Sequence, residues 1–172
     1  MSSLGIALRA EARKFRSSRA ALGASALFVG GLVALSVTFA FAAQAGNVTA
    51  LAKLGPLAEG TPWQVLSGSA MQIAGAGGLL ACGIVVAWSF GREFTEGTIS
   101  GLFALPVGRA TIAFAKTLIY LAWSLALAVV ATAGVVAAGF VAGLGPLDAD
   151  TAAALERLPV LIACCGLIAL PA

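Results

Sequence analysis

Three long stretches of this chain, residues 20–52, 60–91 and 117–147, contain no charged side chain. A bilayer core of about 30 Å is crossed by about 20 apolar helical residues, so each stretch holds one span with residues left for loops. Composition agrees, since 60% of the residues are hydrophobic and only 10% charged, against about 25% charged in soluble domains. Lipid offers no partner to backbone N–H and C=O groups, so only helices or closed barrels cross it. The short alternating segments of barrel strands do not occur in the sequence. The expected fold is all-α, a polytopic transmembrane helix bundle.

The first span is expected near Ala20 to Ala43, the second near Ala70 to Phe90 and the third near Thr117 to Gly139. A fourth starts at Leu158 and is partial, running over 158–172. Small residues recur within the spans: Gly30 and Gly31, Ala74 with Gly78, Gly139 with Gly143. They point either to closely packed helices or to a composition biased toward alanine and glycine. Cys82, Cys164 and Cys165 fall in apolar runs without disulfide-framework spacing and read as small buried residues. With no histidine in the chain, a Cys/His metal site is excluded. No metal or other cofactor is expected.

Orientation follows from the basic residues flanking the spans. Arg9, Arg13, Lys14, Arg16 and Arg19 precede the first, and Arg92, Arg109 and Lys116 lie between the second and third. The opposite side has only Lys53 and Arg157, beside the acids Glu59, Asp148, Asp150 and Glu156. This asymmetry puts the N-terminus and the 91–116 segment in the cytoplasm and 44–68 and 144–157 outside. The basic start, the apolar run and Ala43-Gln44-Ala45 mimic a secretory signal. A signal core is only about 7–15 residues, however, and this run is longer, so the first span is expected to stay.

Residues 4–16 have helical periodicity. Leu4, Leu8 and Phe15, with Ala12, share one face, and Arg9, Arg13 and Arg16 share another. This is the pattern of an amphipathic helix in the membrane interface, with arginines toward phosphates; a plain basic tail without fixed structure is the alternative. Glu11 sits at the edge of the apolar face, a costly place for a carboxylate against lipid. It is expected to pair with a nearby Arg or Lys, or to face a protein partner.

The segment from Arg92 to Arg109 is the most informative. Phe94, Leu102 and Leu105, with Thr98 between, can line one side of a short helix, while Glu93, Glu96 and Ser100 tend toward other faces. Pro106 would end that helix, and Arg109 and Lys116 flank the entry to the third span. Apolar residues there need cover, from lipid or from another protein.

This segment resembles the loop between the second and third spans of the ABC-2 type permeases, membrane subunits of many bacterial ABC exporters. The shared order is Glu93 and Glu96, Gly97-Thr98, Leu102 to Leu105, Pro106-Val107, Arg109 and Lys116. The start, Glu11 to Arg16 before a long span, is similar to that family's N-terminal membrane-surface helix. The resemblance implies that 92–105 is a coupling segment docking on a separate ABC ATPase subunit, with Glu93, Phe94, Glu96, Gly97, Thr98, Leu102, Leu105, Pro106 and Arg109 carrying the contact. It further implies a second permease copy or homologous permease as partner, and a bacterial plasma membrane as location. The lipid bilayer is the other expected partner, and nucleic acid is not one. Consistently, the sequence holds no GxxxxGK[ST] phosphate loop. Members of this family usually have six spans. Residues 1–172 therefore read as one permease domain that is the N-terminal part of a longer protein and is not expected to transport alone.

The expected function is thus the membrane-spanning subunit of an ATP-driven exporter. Two other classes remain open: a mechanical membrane module for maturing a secreted metalloenzyme, and a fragment or regulator that transports nothing. The cores of the first three spans carry no Asp, Glu, His, Lys or Arg for a proton relay. They also hold no His, Asp, Glu or Lys to act as a base, so an enzyme is not expected.

Overall fold

The computed structural model describes residues 3–95 and 108–170. Among them the chain forms helices α1 (Ser3–Arg16), α2 (Arg19–Gln44), α3 (Val48–Leu54), α4 (Pro62–Thr95), α5 (Arg109–Val141) and α6 (Ala149–Ile168), with a 3-10 turn at Gly55–Glu59 after α3. Four of these, α2, α4, α5 and α6, are long and apolar enough to cross a membrane. The all-α bundle expected from the charge-free stretches is therefore what forms.

Short turns join α1 to α2 and α2 to α3. The turn from α1 to α2 is set by Ser18, whose hydroxyl accepts from the Ala21 N–H at 3.1 Å, satisfying one of the donors a helix start leaves unpaired. At the far end of α2, Gly46 takes a positive φ of 68°. The N–H of Asn47 then reaches back to the Ala42 carbonyl at 3.0 Å, a stop that glycine adopts without steric cost. Asn47 in turn caps α3 through the N–H groups of Thr49 and Ala50.

α2 packs against α4 and α5, while α6 lies against α4 and α5. The buried interior is rich in small side chains, among them Ala70, Ala74, Ala81, Ala128 and Ala131. Large apolar residues such as Leu27, Leu80, Val129 and Val160 face outward. This distribution suits lipid, where close packing and interhelical hydrogen bonds replace the hydrophobic effect as the source of association. Tyr120 donates its hydroxyl proton to the Gly166 carbonyl at 2.9 Å, and Trp123 Nε1–H donates to Ser25 Oγ at 3.0 Å. Buried Ser36 satisfies its own hydroxyl on the Leu32 carbonyl one turn back, as serines in apolar helices do.

The small-residue pairs divide. Ala74 and Gly78 are buried, and a methyl group on Gly78 would touch Cys165 and Phe28. Gly139 lies under the Trp63 ring, where any Cβ would overlap it. Gly30 and Gly31 face open space, and Gly143 lies in the turn beyond α5 with a positive φ. Cys82 and Cys165 are buried as expected, but Cys164 is exposed on the outer side of α6.

The helices also run further than the spans read from the sequence. α4 and α5 have 34 and 33 residues, about 50 Å at 1.5 Å per residue, well beyond the roughly 30 Å core. α6 begins at Ala149, ahead of Leu158. Asp148 caps it by accepting from the Thr151 N–H at 2.6 Å, and Pro159 falls inside the helix. The stretch with Asp150, Glu156 and Arg157 is helical although it is not apolar. Beyond α3, Trp63 closes that end of the bundle by donating to the Gly145 carbonyl at 3.0 Å, its ring edge-on to Phe140.

Candidate functional site

At the opposite end, α1 folds back along the start of α5. Its buried face carries Ala7 and Glu11, with Phe15 set between Trp88 of α4 and Trp123 of α5, at ring separations of 6.3 and 5.9 Å. Leu4, Leu8 and Ala12 are half-buried, whereas Arg9, Arg13 and Arg16 are exposed. The periodicity that defines α1 as amphipathic thus sorts it into a face on the bundle, anchored by Phe15, and a basic outer face.

Glu11, the one acid of α1, holds a charge node. Lys116 Nζ donates to Glu11 Oε2 at 3.0 Å and to the Ser89 carbonyl at 3.2 Å, while Lys14 Nζ donates to Glu11 Oε1 at 3.2 Å. The Lys116 side chain is only 4% exposed and that of Glu11 10%. Charges so far from water carry a desolvation cost that only close, hydrogen-bonded partners offset. Beside the node the Arg92 guanidinium lies over the Trp88 ring, 5.1 Å from its centre, a cation–π contact. The space left among these groups is about 10 Å³, room for a single water at most. The node therefore joins elements and offers no substrate pocket.

Its position gives it meaning. Ser89, Trp88 and Arg92 lie in the last turns of α4, and Lys116 lies in the second turn of α5. One ammonium, that of Lys116, thus ties α1 to the two helices that lead into and out of the 96–107 connection. Of the residues singled out from the sequence there, Glu96, Gly97, Thr98, Leu102, Leu105 and Pro106 lie outside the described residues. Glu93 and Phe94 belong to the end of α4 and Arg109 opens α5, their side chains being outside the described set.

Sequence reasoning counted Lys116 only as a flanking cation and missed that it is buried. A signal was present: Lys116 sits among Ala115, Ile119 and Tyr120 without a polar neighbour before it, and α1 holds a lone acid among basic residues. Two unmatched charges in apolar settings imply each other, but which of several cations meets Glu11 depends on how α1 docks.

A bundle of four membrane-crossing helices with an amphipathic helix locked to one end defines a multi-pass membrane protein. Over residues 7–172 the sequence matches the family described as ABC-2 family transporter protein. The chain belongs to that family, and its role is that of a membrane transport permease. Neither characterised proteins nor solved structures yield a match.

Proposed function

We propose that this permease is driven by a separate ABC ATPase subunit and exports its substrate. In this reading α1 and the 91–116 segment are cytoplasmic, the membrane is a bacterial plasma membrane, and a second permease copy or a homologue completes the transporter. The observation that carries the reading is the Glu11–Lys116–Ser89 node. It braces the two ends of the connection whose sequence resembles a coupling segment. A contact that transmits work needs a stiff mounting, because a force applied to a loose loop is lost in its own rearrangement. The sequence lacks a phosphate-binding loop, so the work arrives through such a contact. Family membership and the eight-to-two distribution of basic residues support the partner and the orientation respectively.

The docking surface is assigned to Phe94, Leu102 and Leu105, with Glu93 and Glu96 at the rim. Desolvated aromatic anchors dominate such interfaces, with truncation costing about 2 kcal/mol or more, whereas rim charges count for less. The test is co-purification of an ABC ATPase subunit with this permease. Phe94→Ala and Gly97→Val are expected to lose it, and Glu96→Gln to retain most of it, at equal membrane levels. Normal retention by both damaging variants would move the docking surface elsewhere.

A further inference from the structure

We propose that the outward face of α1 is a binding site for the headgroup of an anionic phospholipid, with Arg13 and Arg16 as its phosphate ligands. The spacing 9, 13, 16 stacks three arginines on one side of a helix. All three are exposed, and with Ala12 and Ser17 they line an open groove of about 560 Å³. Each guanidinium presents a planar fork of donors that matches phosphate oxygens. Ser17 adds no donor, since its hydroxyl proton is directed to the backbone carbonyls of Arg13 and Lys14.

The groove is basic because of how α1 docks. Its one carboxylate, Glu11, is turned inward to Lys116 and Lys14, so no acid of α1 remains on the outer side. Phe15, held between two tryptophans, keeps the helix from rolling. The backbone that carries the arginines is thus held in one orientation, and only their side chains remain to be ordered on binding.

Location selects lipid over a protein surface as the occupant. Only Ser17 and Ser18 separate Arg16 from α2, the first membrane-crossing helix. Leu22, one turn into α2, and Leu27 beyond it are 61% and 79% exposed. Guanidinium groups therefore stand at the level of a leaflet's phosphates, directly beside apolar surface suited to its acyl chains. A zwitterionic headgroup brings a choline cation for which the outer side of α1 offers no acid. Net-negative headgroups are therefore preferred, with phosphatidylglycerol as the probe. This inference does not rest on the transport reading, because counting bound lipid requires neither ATPase nor cargo.

The experiment uses the purified full chain in phosphatidylcholine nanodiscs with graded phosphatidylglycerol, and retained lipid is counted by native mass spectrometry. The wild type should retain phosphatidylglycerol over phosphatidylcholine. Arg13→Gln/Arg16→Gln should weaken that retention on the order of 25-fold, from about fivefold for each basic group near an anionic surface. The control, Lys53→Gln/Arg157→Gln, removes the same charge elsewhere and should leave retention unchanged. Arg13→Lys keeps the charge but not the fork, so its intermediate loss keeps the test decisive should the double variant fold poorly. Soluble glycerol phosphate at millimolar concentration should not displace the lipid. Equal loss in the control, no preference in the wild type, or displacement by glycerol phosphate would overturn the proposal. So would unchanged lipid retention in the double variant with loss of a soluble acidic partner.

Discussion

Lys116 reaches Glu11 across 105 residues of chain, and their charged atoms meet at 3.0 Å with both side chains almost fully enclosed. Removing one member of such a pair costs more than the pair itself contributes, because a buried charge loses its counterion. Glu11→Ala is expected to destabilise the protein by about 3–5 kcal/mol. Lys14→Ala removes a partly exposed ion pair and should cost less than about 1 kcal/mol. Glu11→Leu/Lys116→Met should recover most of the loss. Unfolding titrations of the purified protein decide this, and equal effects of Glu11→Ala and Lys14→Ala would contradict it.

Trp63 covers Gly139 so closely that a methyl group there overlaps the indole, with Leu66 Cδ2 only 2.9 Å away. Gly139→Ala is expected to cost about 1–3 kcal/mol through overpacking. Gly31→Ala, with nothing within 4 Å, should be neutral or slightly stabilising, since alanine is the better helix former. Thermal melts of the two variants in one detergent provide the comparison, and the ranking should not invert.

Tyr120 is fully buried, and its hydroxyl serves the Gly166 carbonyl. Tyr120→Phe deletes that hydrogen bond while keeping the ring, and interhelical bonds in membranes contribute about 0.6 to 1.7 kcal/mol. The variant should melt lower by a correspondingly small amount. A loss as large as that of Glu11→Ala would mean that the tyrosine does more than fasten α5 to α6.

Topology is open to direct chemical labelling. In a background without native cysteines, Ser17→Cys, Asn47→Cys and Asp150→Cys each place a thiol at an exposed position. An impermeant thiol reagent applied to intact cells should modify Asn47→Cys and Asp150→Cys but not Ser17→Cys. Labelling at Ser17→Cys from outside would reverse the orientation.

The membrane-crossing helices were legible because one strong constraint, the exclusion of charge from lipid, writes itself directly into composition. Their ends were less so. The fourth span was read from Leu158, yet the Asp148 cap starts α6 a full two turns earlier. Caps are local and weak, and Asp150, Glu156 and Arg157 keep the first turns of α6 from reading as apolar. Gly31 and Gly139 were indistinguishable as letters. What separates them is the neighbour across the helix interface, Trp63 for one and open space for the other. The node was half legible: Glu11 called for a nearby cation or a protein partner, but choosing Lys116 required knowing that α1 folds back on α5.

Pro159 has a consequence for the bundle as a whole. Lacking an N–H, it leaves the Leu155 carbonyl without its usual partner within the helix, midway along α6, which packs against both long helices, α4 and α5. An open cleft of about 390 Å³ lies beside it, lined by Thr132, Val136, Leu155 and Pro159. The hydrogen-bond ladder of α6 is thus interrupted beside the cleft that separates it from Thr132 and Val136 of α5.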